Sequence, residues 1–360
     1  MNSQRKLFDE ITSKENALAA LQEEHRAACG HRRVRLTRLL ETPEESALAF
    51  AQRVADPNFQ MGEYVVFDRL EAGKMRHIEA PNVMDAVCIR MVARLTENQE
   101  IYNHMTTHSY CPVRNRGGLK LSYDAWHKVR ELLYANKLWM KSHHGKRYVY
   151  FVKTDIRHFF PSISHSMAMK AVGKYIKNPD VLRLFDRMIG EHITIGSGLS
   201  APVANAVLID VDWEMESYPG VLGYYRYMDD VLWLFRSKAK AKAAIAHYEG
   251  LLKSMGLAIK PWRIERVTSA PFTIGGYKVR PSGIRPSSNI CRHINRILRR
   301  ISKRGVNGIS LHDCATIASL NGYVTNSYAY HYKQIFANLN LDAAFARVGK
   351  NKGRKNYGNP

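Results

Sequence analysis

The sequence predicts an α+β fold, with a largely antiparallel sheet at its core and a helical C-terminal part. Two observations carry this expectation. The segment types run in the order helices, hairpin, strand, helices, hairpin, helix, strand, helices. From residue 288 onward the pattern is helical and strongly basic.

Each element has a local reason. Residues 12–55 read as helices: "SKENALAALQEEHRAA" is rich in helix formers, and Ser13 is placed to cap it. Residues 62–81 read as two short strands joined by a turn around Glu71–Lys74. "VMDAVCIRMVARLTENQEIY" has the period of an amphipathic helix. "YCPVRNRGG" is a basic loop and "SYDAWHKVRELLYANK" a further helix. Residues 148–156 are β-prone and largely apolar, which suits a central strand. The helices "SHSMAMKAVGKYI" and "PDVLRLFDRMIG" follow, and "IGSGLSAPVANAVLIDVDWEM" opens as a Gly-Ser loop before turning helical. Residues 221–236 form a hairpin with Tyr227–Asp230 at its turn. "SKAKAKAAIAHYEGLLKSMG" is helical, "FTIGGYKV" is a strand broken by Gly275 and Gly276, and the tail "VGKNKGRKNYGNP" is expected to be disordered.

The chain has 360 residues, 45% of them hydrophobic, enough for a sizeable core and more than one domain or subdomain. Its 54 Lys and Arg against 32 Asp and Glu give a net charge of +22. Such a field attracts polyanions, although charge alone does not separate nucleic acid from an acidic membrane. No stretch reaches the roughly 20 apolar residues of a membrane span. The N-terminal segment lacks the apolar core and cleavage site of a secretory signal. The five Cys are far apart and form no C-x-x-C, so neither a disulfide framework nor a zinc site is expected. A reducing cytoplasm fits this usage.

Within "YRYMDDVLWLF" two acids, Asp229 and Asp230, stand between apolar runs. Adjacent Asp residues commonly mark a turn and nothing more. Buried charges, however, must be paired or must bind metal. A third acid, Asp155, ends the strand "YVYFVKTD" in a similar setting. If the two strands are neighbours, Asp155 and Asp229 can hold two Mg²⁺ ions between them with Asp230 nearby. Two such ions about 3.5–4 Å apart stabilise both the attacking and the leaving oxygen of a phosphoryl transfer. Mg²⁺ suits the task because it takes oxygen ligands and keeps substrate phosphates in its shell.

These motifs resemble those of reverse transcriptases, right-hand polymerases with fingers, palm and thumb. "YMDD" at Tyr227, Met228, Asp229 and Asp230 looks like their palm signature. "DIRHFFPSI" at 155–163 looks like the first catalytic motif of bacterial and intron-type members. The resemblance covers roughly residues 60–300, with the motifs in the family's order. It implies a helical extension over 1–58, fingers over 59–150, a palm with an antiparallel sheet over 151–280, a helical thumb over 281–346 and a basic tail over 347–360. It also implies that Asp155, Asp229 and Asp230 are catalytic, and that these three with Ile156 hold two Mg²⁺ ions, Mn²⁺ being able to substitute.

Further roles follow from the same resemblance. Phe160 matches an aromatic beneath the incoming sugar, where a ring would clash with a 2′-OH; the alternative is that Phe159 and Phe160 are both core. Gly196 and Ser200 match a G-x-x-x-S frame facing template and nucleotide, and Asn205 a later Asn. Ile195 stands where the family usually has Gln, and the usual Ser-Pro is stretched to Ser200-Ala201-Pro202. Lys74 and Arg76 in the first hairpin, and Arg114 and Arg116 in the basic loop, are placed to grip a triphosphate, a fork for Arg and a point charge for Lys. A solvated surface face is the alternative for each. Arg263 is a candidate to steady the leaving pyrophosphate, with Lys260 competing for that place. Gly275, Gly276 and Tyr277 look like a primer grip; a β-bulge would also use these glycines, and the two readings are compatible. Arg292, Arg296, Arg299 and Arg300 lie on a helix that looks like a thumb helix against a duplex, held by phosphate contacts. Tyr227 and Met228 are counted with the nucleic-acid contacts.

The implied activity is RNA-directed DNA synthesis on a template RNA, from dNTPs onto a primer or growing cDNA. About 60 residues follow the thumb helix, too few for an ordinary nuclease domain, so polymerisation alone is expected. Ile195 and the Cys-bearing loop resemble the error-prone enzymes of diversity-generating retroelements, which work with a small basic oligomeric accessory protein. An antiviral or retron-type enzyme with its own noncoding RNA is the alternative setting. An RNA-synthesising polymerase is disfavoured by Met228 and Phe160, and a non-catalytic nucleic-acid scaffold by the intact acids.

Overall fold

The computed structural model describes residues 2–28, 30–71, 74–110, 116–339 and 341–347. Arg114 and the tail beyond 347 lie outside the described residues. In chain order the helices are α1 (Asn2–Ile11), α2 (Lys14–Ala27), α3 (Gly30–Leu39), α4 (Pro43–Ala55) and α5 (Val83–Thr96). Next come α6 (Gly118–Ser142), α7 (Phe159–Ser162), α8 (His165–Tyr175), α9 (Pro179–Met188), α10 (Ser200–Ser217) and α11 (Lys238–Ser254). The last four are α12 (Ser288–Arg304), α13 (Leu311–Thr325), α14 (Tyr330–Asn338) and α15 (Asp342–Arg347). The strands are β1 (Val65–Glu71), β2 (Lys74–Ala80), β3 (Ser109–Tyr110), β4 (Tyr150–Asp155) and β5 (Gly223–Tyr227). β6 (Asp230–Phe235), β7 (Ile264–Arg266), β8 (Phe272–Ile274), β9 (Tyr277–Arg280) and β10 (Gly283–Pro286) complete them. This is the mixed α+β architecture of a right-hand polymerase.

β1 and β2 form an antiparallel ribbon in register from Val65 opposite Ala80 to Glu71 opposite Lys74. Five strands order as β3-β5-β6-β4-β7, and three as β10-β9-β8. The β3–β5 pair is parallel, Ser109 facing Arg226 and Tyr110 facing Tyr227. "FTIGGYKV" is not one interrupted strand: β8 and β9 pair antiparallel from Phe272 opposite Val279 to Ile274 opposite Tyr277. Gly275 and Gly276, at φ 58° and 85°, form the two-residue turn between them. Two positive φ values in succession are what a primed hairpin turn needs, and the bulge that would also use these glycines is not formed.

The chain divides into two compact units. The first comprises residues 1–114, 154–231 and 242–262. Its helices form where the sequence supplies caps: Ser13 accepts from Asn16 N at 3.1 Å, and Asn82 accepts from Asp85 N at 3.0 Å. The first half of α10 is buried on nearly all sides, which weakens the amphipathicity of that helix. The second unit comprises 115–153, 232–241 and 263–360. In it Ile294, Ile297 and Ile301 of α12 face Ile317, Leu320 and Val324 of α13 in one apolar cluster. Among the described residues, no helix is long and apolar enough to cross a membrane.

Candidate active site

The acids lie in the first unit, at the end of β4 and at the β5–β6 turn. Ile156 N–H donates to the Asp229 carbonyl at 2.9 Å. That bond sets 155–156 beside 229 at inter-strand spacing. On the other side the chain at 258–260 runs alongside. Lys260 N–H donates to the Asp155 carbonyl at 2.8 Å, and Arg157 N–H to the Ala258 carbonyl at 2.7 Å. Thr154 Oγ1 donates to the Lys260 carbonyl at 2.8 Å. Asp155 is therefore fixed from both flanks. Its carboxylate accepts from Lys260 Nζ at 2.7 Å, which brings Lys260 to the acids.

Burial pushes the Asp229 carboxyl above its ordinary range, and the charge of Asp155 adds to this. Its own backbone N–H, Lys260 and Arg76 act in the opposite sense. The Asp155 charge thus raises the cost of ionising Asp229, as expected where a cation belongs beside it. Among the described residues, no three His, Cys, Asp or Glu side chains converge as a metal cluster. The donor set still fits Mg²⁺, which is commonly held by one or two carboxylates plus substrate phosphates and waters.

Among described residues, two non-glycines have positive φ, His158 at 43° and Met228 at 57°. They lie three residues after Asp155 and one before Asp229. Backbone strain of this kind persists where the surroundings enforce it, commonly at functional sites. Phe159 is buried at 3% exposure, whereas Phe160, its ring centroid 5.9 Å away, is half-buried. Of the two rings, Phe160 is the one with a free face.

The Ile195–Ser200 loop is built differently from what its residue types suggest. The Ile195 carbonyl accepts from Glu79 N–H of β2 at 3.2 Å. Gly196, at φ 128°, lies so close to β2 that a Cβ would meet the Glu79 carbonyl at 3.2 Å. The close approach that requires glycine is to this strand. Ser200 is buried, and its hydroxyl donates to the Thr194 carbonyl at 2.6 Å, closing the loop. It shapes the loop instead of presenting a hydroxyl outward. Arg76 is exposed on β2, and Lys74 begins that strand. Tyr227 ends β5 half-buried, and Met228 is buried.

In the second unit Arg116 is half-buried, and Arg263 is exposed just before β7. The Gly275–Gly276 turn is packed on both sides. A Cβ on Gly275 would overlap the backbone of Gly118 at the start of α6. A Cβ on Gly276 would meet the Tyr323 ring of α13 at 2.6 Å. Tyr277 is 3% exposed, with its ring centroid 4.9 Å from that of Tyr323. Burial and Tyr323 push its phenol up. Its side chain is core, while Gly275 and Gly276 are half-buried. On α12, Arg292, Arg296, Arg299 and Arg300 are all exposed. Arg300 donates to Asp313 and Arg292 to Asn289.

One group of residues escaped the sequence reading. Arg226, a lone cation in the apolar strand β5, is fully buried against Asp212, one of four acids in α10. The available signal was a single cation inside the apolar strand β5, which must find a partner.

A family model for "Reverse transcriptase (RNA-dependent DNA polymerase)" matches residues 68–279, more than half of the chain. Among solved structures, apo telomerase from Candida tropicalis aligns at TM-score 0.52 and 10% identity, covering 81% of this chain and 62% of that one. Telomerase from Candida albicans, in complex with a TWJ fragment of telomeric RNA, aligns at TM-score 0.45 and 9% identity, covering 83% and 56%. At such identities the likeness is one of fold, and this chain spans less than two thirds of either telomerase. No curated protein gives a significant match. The match over residues 68–279 shows that the chain belongs to the reverse transcriptase family.

Proposed function

We propose that this chain extends a primer 3′-OH on an RNA template by two-metal nucleotidyl transfer from dNTPs, with Asp155 and Asp229 as the principal metal-holding carboxylates. The observation that carries the reading is the bond from Ile156 N–H to the Asp229 carbonyl, which sets the two acids side by side, with the Asp155 charge acting on Asp229. Asp230 is the third acid of the motif, and Ile156 offers its backbone. Bound Mg²⁺ supplies charge neutralisation and a lowered pKa for the 3′-OH. Lys260 Nζ donates to the Asp155 carboxylate. Release of that ammonium toward the departing pyrophosphate would give charge stabilisation where it develops. Arg263 remains a second candidate for that task.

Phe160 offers the half-exposed ring that would exclude a 2′-OH. Arg76, whose charge already acts on Asp229, is placed for the triphosphate, and Lys74, Arg114 and Arg116 are proposed alongside it. Residues 59–150, 151–280 and 281–346 are proposed as fingers, palm and thumb. In the last two, the Gly275–Gly276 turn and the exposed arginines of α12 contact the nucleic-acid backbone.

Primer extension on an RNA template tests this. The wild type incorporates dNTPs in preference to rNTPs, and Asp229→Asn abolishes product while RNA binding survives. Extension by Asp229→Asn at the wild-type rate would sink the assignment. Ile195 favours a cytoplasmic diversity-generating retroelement as the setting, with a template RNA and a small basic accessory protein. A defence or retron-type enzyme with a dedicated noncoding RNA is the second reading, suggested by the stretched Ser200-Ala201-Pro202. Sequencing the bound RNA and its DNA product separates them: scattered substitutions opposite template adenines support the first, a faithful copy of one structured RNA the second.

A further inference from the structure

We infer that Arg226 and Asp212 are positioning residues that fix the peptide carrying Asp229. Both side chains are 0% exposed. Arg226 Nε and Nη2 donate to the two Asp212 oxygens at 2.7 and 2.6 Å, a planar fork on a carboxylate. Nη1 is left over. It donates to Asn205 Oδ1 at 2.9 Å and to the Met228 carbonyl at 3.1 Å. Asp212 is saturated in turn by Ser109 Oγ at 2.6 Å and Tyr224 OH at 2.5 Å.

The Met228 carbonyl belongs to the peptide that enters Asp229. The Asp229 carbonyl belongs to the peptide that leaves it, and Ile156 N–H holds that one. Asp229 is thereby clamped at both neighbouring peptide planes. The clamp acts where it is needed, because Met228 has a positive φ that a branched or long side chain adopts reluctantly. A buried ion pair is a poor device for stability, since well-packed apolar residues of similar volume commonly do as well. What an apolar pair cannot supply is a donor aimed at the Met228 carbonyl. Asn205 orients the same guanidinium nitrogen from α10, so α10, β3, β5 and the turn meet at one ion pair.

This inference rests on the metal-holding role proposed for Asp229, and the experiment separates the two. Arg226→Lys keeps the charge pair with Asp212 but loses the fork that also reaches the turn. Arg226→Met combined with Asp212→Leu removes the charges altogether and serves if the Lys variant misfolds. Active sites are counted by titration, so that rates are per folded enzyme. Both variants are expected to keep RNA affinity and the KM for dNTP. The per-site kcat should fall about 100-fold, the scale of a 1 Å misplacement. Mn²⁺ binding without substrate, read by water-proton relaxation, should weaken about tenfold, as when a ligand loses its outer support. A purely structural role would lower the number of active sites and leave per-site kcat and Mn²⁺ binding unchanged, and that result overturns the inference. Asp229→Asn, run beside them, reports on the underlying reading: if it is inactive while both Arg226 variants run at the wild-type per-site rate, only the positioning role fails. If Asp229→Asn itself turns over normally, the role of Asp229 fails and the clamp loses its purpose.

Discussion

Arg226 and Arg299 carry the same side chain into opposite environments. In the first unit Arg226 is sealed among Asp212, Asn205 and the Met228 carbonyl. In the second unit Arg299 stands exposed on α12 beside Arg296, above an isoleucine row that packs on α13. One cation is spent inside the protein to fix backbone near the acids. The other is offered outward, where phosphates can release counterions by binding it. A net charge of +22 therefore does two kinds of work, and composition alone does not tell them apart.

The contrast can be broken at several points, beginning with the largest effect. Asp229→Asn is expected to abolish extension and yet to raise the Tm of the metal-free protein at neutral pH. The sign follows from the raised Asp229 carboxyl, caused first by burial and then by Asp155. The folded state holds that proton more tightly than the unfolded chain does. The stability gained is present at acid pH and lost as pH rises through the folded value. Melting wild type and variant in EDTA from acid to neutral pH checks this: the Tm gap should open with rising pH and close when Mg²⁺ is added.

In the second unit Gly275→Ala is expected to cost about 3 kcal/mol, because the new Cβ strikes backbone and the residue holds a positive φ. Chemical denaturation reads this directly. Ile297→Ala should cost about 2–4 kcal/mol through the cavity left against α13. Arg296→Gln and Arg299→Gln sharpen the comparison from the other side. Each should leave Tm unchanged, weaken duplex binding without regard to sequence, and reduce the salt slope by about one. The smallest effect is expected at His158→Gly, on an exposed side chain with φ 43°. Relief of the left-handed backbone and the entropy of glycine nearly cancel, so stability should shift by less than about 1 kcal/mol.

Much of the scaffold could be read from sequence because its signals are local. Ser13 caps α2 as its position suggested, Asp155 visibly ended an apolar strand, and Asp229 lay in the hairpin turn expected at Tyr227–Asp230. β3, β7 and β10 were not legible, since two to four residues are too few to show a period. Ser200 and Tyr277 look like surface chemistry by type, yet packing consumed both, a choice set by tertiary neighbours. The Arg226–Asp212 pair could be suspected but not matched, because nothing in the chain says which two buried charges meet. The contact of Lys260 with Asp155 came from register, the strand-like pairing of 258–260 with the chain at 154–157, which sequence alone does not fix.

The most direct measurement is an anomalous-difference map from crystals grown with template, primer, dNTP and Mn²⁺. The account predicts Mn²⁺ about 2.1 Å from carboxylate oxygens of both Asp155 and Asp229, with Lys260 displaced from Asp155. Mn²⁺ bound elsewhere, with nucleotide in place and the Lys260–Asp155 contact intact, would contradict it.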